Sequence, residues 1–175
     1  MQYLELACRV VIGLVFAASA AGKLRPAAFT AFVASVRALV PWAARAAKPL
    51  AAITLGAEIV IAVALLPHRT APVALGGAAL LLLAFTAALA GAVRRGVDTP
   101  CRCFGASSNR PPGPAQVIRN LVLIVVAVAG LAGSGDAAIQ PAGAVVAAAA
   151  GLTVALLAIA ADDLAFLLPS PRTRS

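Results

Sequence analysis

Five apolar windows of about 20 residues, at roughly 4–22, 49–66, 71–93, 117–133 and 141–161, decide what this chain can fold into. A bilayer core of roughly 30 Å is crossed by about 20 mostly apolar residues in a helix. In lipid a helix satisfies its own backbone polar groups. The composition agrees: 62 % of residues are hydrophobic and 11 % charged, against roughly 45–50 % and 25 % for soluble domains, and the mean hydropathy is +1.00. The expected fold is an all-α polytopic transmembrane bundle, four core helices plus a fifth that is rich in Ala and Gly, residue types that favour close helix approach in lipid. Residues 1–168 are read as one integral-membrane domain and 169–175 as a polar C-terminal tail. Ala18-Ser19-Ala20 resembles a signal-peptide cleavage site. Without a basic region ahead of it, and with Arg9 interrupting the apolar run, the first window is expected to stay as a helix.

The connection over residues 23–48 is too long for a turn. Phe29, Phe32, Val33, Val36 and Val40 form a helical stripe within it, flanked by Arg37, Arg45 and Lys48, with Trp42 nearby. The pattern predicts an interfacial amphipathic helix between the first two spans, lying either in the headgroup region or on the protein itself.

The net charge of +8 and pI near 11.1 do not point to nucleic acid, because the basic residues lie between apolar runs. With five spans, Lys23, Arg25, Arg37, Arg45, Lys48, Arg94, Arg95, Arg102, Arg110, Arg119, Arg172 and Arg174 fall on one side and only Arg9 and Arg69 on the other. The positive-inside rule makes the basic side cytoplasmic and puts the N-terminus outside.

The chemically distinctive segment is Cys101-Arg102-Cys103-Phe104-Gly105, just beyond the third span. Three cysteines and one histidine cannot supply a disulfide scaffold or the four ligands of a Cys/His zinc site. Pro100 stops any helical continuation and Gly105 permits a tight turn. An i, i+2 cysteine pair in a bent backbone can come within disulfide reach, and a ring that small is strained and easily reduced. Arg94, Arg95 and Arg102 favour the thiolate, which is the attacking species. The competing readings are an inert pair and a metal site. Cys8 begins the first span at the opposite end, more than roughly 20 Å away by helical rise, and is read as structural.

Inside the membrane Glu58 carries a carboxylate whose burial is costly, so it needs a proton or a partner. Arg9 is the candidate, as an intramembrane polar pair fixing the first two spans. His68 is read as a solvated loop residue. Arg119-Asn120 opens the fourth span on the side of the cysteines and is expected to anchor that loop, to hold a sulfur, or, for Arg119, simply to reach the interface.

Taken together, Arg9-x-x-x-Gly13-x-x-Phe16, Gly22-Lys23-Leu24, Glu58, Cys101-Arg102-Cys103-Phe104-Gly105 and Arg119-Asn120 resemble the MauE/DoxX-like membrane proteins. The Cys-x-Cys-Phe-Gly element brings the chain nearer to MauE, over roughly residues 5–130. The resemblance implies thiol–disulfide traffic beside a thioredoxin-like or disulfide-bearing partner. In MauE this is associated with maturation of the disulfide-rich small subunit of methylamine dehydrogenase outside the cytoplasm. That location opposes the charge count, which puts Cys101 and Cys103 inside. A quinone acceptor enters only by analogy with other membrane thiol oxidoreductases. The expected function is therefore a membrane thiol–disulfide oxidoreductase or redox-maturation factor, with Cys101 and Cys103 reacting and Arg94, Arg95, Arg102, Arg119 and Asn120 supporting them. The rival is a non-catalytic membrane scaffold that recruits a soluble oxidoreductase.

Overall fold

The computed structural model describes residues 1–96, 114–133 and 140–167, without the side chains of 114–115 and 161–167. Six helices follow one another: α1 (Gln2–Lys23), α2 (Pro26–Leu39), α3 (Ala47–Ala64), α4 (Ala71–Arg94), α5 (Pro114–Ala132) and α6 (Pro141–Leu167), with a 3-10 segment at Pro41–Ala46 before α3. The described secondary structure is all helical, and the apolar windows coincide with α1 and α3–α6. Four helical stretches are long and apolar enough to cross a membrane: Gln2–Lys23, Pro41–Ala64, Ala71–Arg94 and Pro141–Ala160. Gln116–Ala132 is a shorter apolar helix. The chain is an all-α, multi-pass membrane bundle.

Prolines mark where helices begin. Pro26, Pro72, Pro114 and Pro141 stand at the first or second position of α2, α4, α5 and α6, where a missing N–H costs nothing and the fixed φ suits a helix. Arg25 ahead of Pro26 is extended (φ −73°, ψ 135°), as a residue before proline prefers, and this turns the chain out of α1 into α2.

The helices alternate in direction. At one end, the proximal end, Arg9 of α1 bonds the Leu65 carbonyl just after α3, Gly133 after α5 lies against Met1, and the Gln140 N–H before α6 donates to Tyr3. At the distal end, Ser19 near the close of α1 shares a cavity lining with Arg119 of α5 and Ala158 of α6, and Arg95 after α4 donates to the Leu39 carbonyl of α2 at 2.8 Å.

α1 is the axis. Its Ile12, Val15 and Phe16 are buried with Leu75 and Leu82 of α4, Leu123 and Ala127 of α5, and Ala155 of α6. The outer faces of α3–α6 leave large apolar side chains exposed, including Ile53, Val73, Leu80, Val125 and Val146, as lipid-facing surface should. α2 lies on the protein: Phe32 and Val36 are buried with Ala47 and Ala51 of α3 and pack on Phe85 of α4, while Leu39 is buried with Leu89 and Ala92. This is the protein-packed alternative for the amphipathic helix, with Trp42 left 88 % exposed beyond it.

Candidate functional site

The distal end holds an inward-facing polar group. Lys23, in the last turn of α1, is 2 % exposed and Glu58 of α3 is 1 % exposed. The Lys23 ammonium donates to Glu58 Oε1 at 2.7 Å and Oε2 at 2.8 Å. One turn back on α1, Ser19 accepts from Lys23 at 2.6 Å and donates to Glu58 Oε1 at 3.1 Å. Phe32 of α2 closes the group, its ring centroid 4.8 Å from the ammonium, within cation–π range. The carboxylate thus has its charge balanced and its oxygens bonded.

The expected Arg9–Glu58 pair does not form. Side chains on a helix lean toward its N-terminus. On α1 that directs Arg9 outward to the proximal end and Lys23 inward. On antiparallel α3 it directs Glu58 toward the distal end, to Lys23 and away from Arg9. Arg9 instead closes the end of α3, donating through Nε and Nη2 to the Leu65 carbonyl and through Nη2 to Leu66. Its Nη1 lies 3.4 Å from His68 Nδ1 and 3.9 Å from Glu5 Oε1. His68, read as solvated, is half-exposed and 3.5 Å from buried Glu5. Lys23, counted as a loop charge, belongs to the bundle interior; the basic excess on that side survives its removal. Because the two networks sit at opposite ends, the destabilisations of Arg9→Gln and Glu58→Gln should add to within about 0.5 kcal/mol. A double-mutant cycle on thermal unfolding in detergent checks this; coupling above about 1 kcal/mol would restore the direct pair.

Cys101, Cys103 and Arg102 lie outside the described residues, but the helices that carry their connection do not. α4 ends and α5 begins at the distal end, so Arg94 and Arg95 adjoin the connection there and Arg119 and Asn120 follow in the second turn of α5. Gly91 lets Arg95 fold back: its guanidinium comes within 3.2 Å of where a Cβ would stand while reaching Leu39. Asn120 lies on the inward stripe of α5 with Leu123, Ala127 and Gly130. It is 3 % exposed, and its Oδ1 has no hydrogen-bond partner among the described residues. Arg119 and Ser19 line a cavity with Val15, Ala18, Ala158 and Ile159 that has room for about one water. Cys8 is buried near the proximal end, against Gly130, where it does not share this site.

A family model described as methylamine utilisation protein MauE matches residues 1–133. The chain belongs to the MauE family. The methylamine utilization protein MauE of Paracoccus denitrificans is 37 % identical over 125 residues, covering 70 % of this chain and 66 % of the relative. The chain thus spans slightly less than two thirds of that relative's length. No solved structure matches.

The MauE match ends at the close of α5, so α6 lies outside it. Two residues that stand apart in sequence, Lys23 and Glu58, meet in space. The sequence held a signal for this: Ser19 and Lys23 are four apart and share a face of α1. The lean of helical side chains, and not position along the span, brings Glu58 to Lys23.

Proposed function

We propose that this MauE-family chain is a membrane thiol–disulfide oxidoreductase or redox-maturation factor acting through Cys101 and Cys103 on a thioredoxin-like or disulfide-bearing partner, within a methylamine-utilisation system of the kind its relative is named for. The observation that carries the reading is the convergence at the distal end. The connection bearing the Cys-x-Cys element begins after Arg94 and Arg95 and ends at Pro114, with Arg119 and Asn120 in the second turn of α5, and Asn120 offers a buried acceptor with no described partner. Arginines near the pair would favour thiolate, and Asn120 Oδ1 would accept from a thiol or from the connection's backbone.

In the exchange, the thiolate of one cysteine attacks a sulfur of the partner's disulfide. A mixed disulfide forms, the partner's S–S bond breaks, and its second sulfur leaves as a thiolate that takes up a proton. The other cysteine gives up its proton, attacks the mixed disulfide and releases the partner as a dithiol. The pair loses the two electrons that the partner gains; the reverse sequence oxidises a partner dithiol. By the positive-inside rule the distal end faces the cytoplasm and the N-terminus lies outside.

The test uses single Cys101→Ser and Cys103→Ser variants in a Cys8→Ser background. One of them should trap the partner in a mixed disulfide that reductant dissolves. Impermeant maleimide labelling of intact cells, with and without reduction, should show a redox-dependent pair shielded from outside. A pair that is permanently oxidised and traps nothing supports the scaffold instead. Labelling from outside reverses the orientation while leaving the chemistry intact. Asn120→Leu should slow exchange about tenfold, the worth of one hydrogen bond, measured as the rate of mixed-disulfide formation; an unchanged rate removes Asn120 from the site.

A further inference from the structure

Among the residues whose side chains are described, the carboxylates are Glu5 and Glu58, and both are buried and ion-paired. The exposed charge among those described side chains is therefore all positive. Most of it collects at one place. The Arg95–Leu39 hydrogen bond clasps the end of α4 to the end of α2. Arg37 lies two residues before the clasp, Arg94 beside it, and Arg45 and Lys48 follow on the 3-10 segment and the first turn of α3; all are exposed.

Trp42 projects from this surface, 88 % exposed, in the bend where Ala43 leaves helical geometry (φ −109°, ψ 22°). The apolar outer face of α3 starts close by at Ile53, 69 % exposed, five residues past Lys48 and so roughly 8 Å along the helix. A belt of cations directly above apolar, lipid-facing surface, with an indole at the boundary, is the arrangement that headgroups meet.

We propose that Arg37, Arg45, Lys48 and Trp42, with the clasped end of α4, form a binding surface for anionic phospholipid headgroups in the leaflet at the distal end. Charge complementarity selects an anion. The indole and the adjoining apolar belt select a lipid over an acidic protein, which would need neither. The proposal is independent of the thiol chemistry.

Trp42 is the chain's single tryptophan, so its fluorescence reports this surface alone. The full chain is reconstituted into vesicles of equal parts phosphatidylcholine and phosphatidylglycerol, with bromine on the acyl chains of one lipid or of the other. Brominated phosphatidylglycerol should quench Trp42 several-fold more strongly, and added salt should shrink the difference. Local enrichment should fall about fivefold per charge removed, so R37Q/R45Q/K48Q should bring the two lipids level. R69Q, at the opposite end, should leave the preference unchanged. Circular dichroism confirms that the variants fold, and the salt series on the unaltered chain tests the idea without any variant. Equal quenching in the unaltered chain, a preference that survives the triple substitution, or a preference equally lost in R69Q each overturns it. Absence of quenching by either lipid also does so, since another protein or a second copy would then cover Trp42.

Discussion

Glu58→Leu alone, or Lys23→Met alone, is expected to destabilise the bundle by about 3–5 kcal/mol, because each leaves a buried charge without its counterion. Glu58 without Lys23 keeps a donor from Ser19 but loses the cation 2.7 Å away. Lys23 without Glu58 keeps Ser19 and the face of Phe32 beside it but loses the anion. The double variant Lys23→Met/Glu58→Leu should recover most of the loss, since an apolar pair of similar volume removes both desolvation costs. Thermal unfolding in detergent and yield of folded protein check the series. Single variants as stable as the parent would mean that the ion pair contributes little. A double variant as poor as the singles would mean that it carries something beyond charge compensation, such as a proton. Ser19→Ala should cost only about 1 kcal/mol, the scale of one hydrogen bond.

Gly151→Ala and Gly130→Ala form the second large effect, expected at about 1–3 kcal/mol each from overpacking. A Cβ at Gly151 would stand 2.7 Å from the Ala7 carbonyl oxygen and 3.0 Å from Val10 Cβ. The first of these is backbone inside α1, so α6 must move away from it. A Cβ at Gly130 would stand 2.8 Å from Cys8 Cβ and 3.1 Å from Leu75. Here the obstruction is a side chain, so Cys8→Gly should restore part of the stability of Gly130→Ala, while nothing comparable rescues Gly151→Ala. Gly56→Ala is the control: nothing lies within 4 Å of that position, and alanine in a helix should be neutral or slightly stabilising. Melting temperatures of the four variants decide the matter. Equal tolerance at Gly151 and Gly56 would contradict the close approach of α1 and α6.

Those contrasts show what could be read from one chain. The number and placement of the helices were legible because apolar length is a one-dimensional property. The stripe through Phe32 and Val36 likewise announced a helix between the first two spans. Partner choice inside the bundle was not legible. Arg9 and Lys23 both lie on α1, and only the direction of α3 together with the lean of helical side chains decides which of them meets Glu58. The fate of α2 was also hidden, since a helix packed on protein and one lying in lipid share the same periodicity. At the candidate site, Arg119 and Asn120 stood out as polar residues where the apolar run begins, though α5 itself starts a turn earlier at Pro114. That Asn120 turns inward on the stripe of Leu123 and Ala127 follows from packing. Cys101 and Cys103 rest on their motif and on the helix ends that flank them.

The pairing of α1 with α6 has a consequence in time. α1 is held along one side by α6, which is made later, through Gly143 beside Tyr3 and Gly151 beside Ala7 and Val10. At the usual pace of synthesis, those 140-odd intervening positions take on the order of ten seconds to make. Through that interval the flank of α1 that will receive α6 is covered by lipid or by a chaperone, and the nascent chain is a bundle with an open seam. That seam closes only when α6 arrives, so a chain cut short after α5 would enter the membrane with it open, even with every residue of the family match in place.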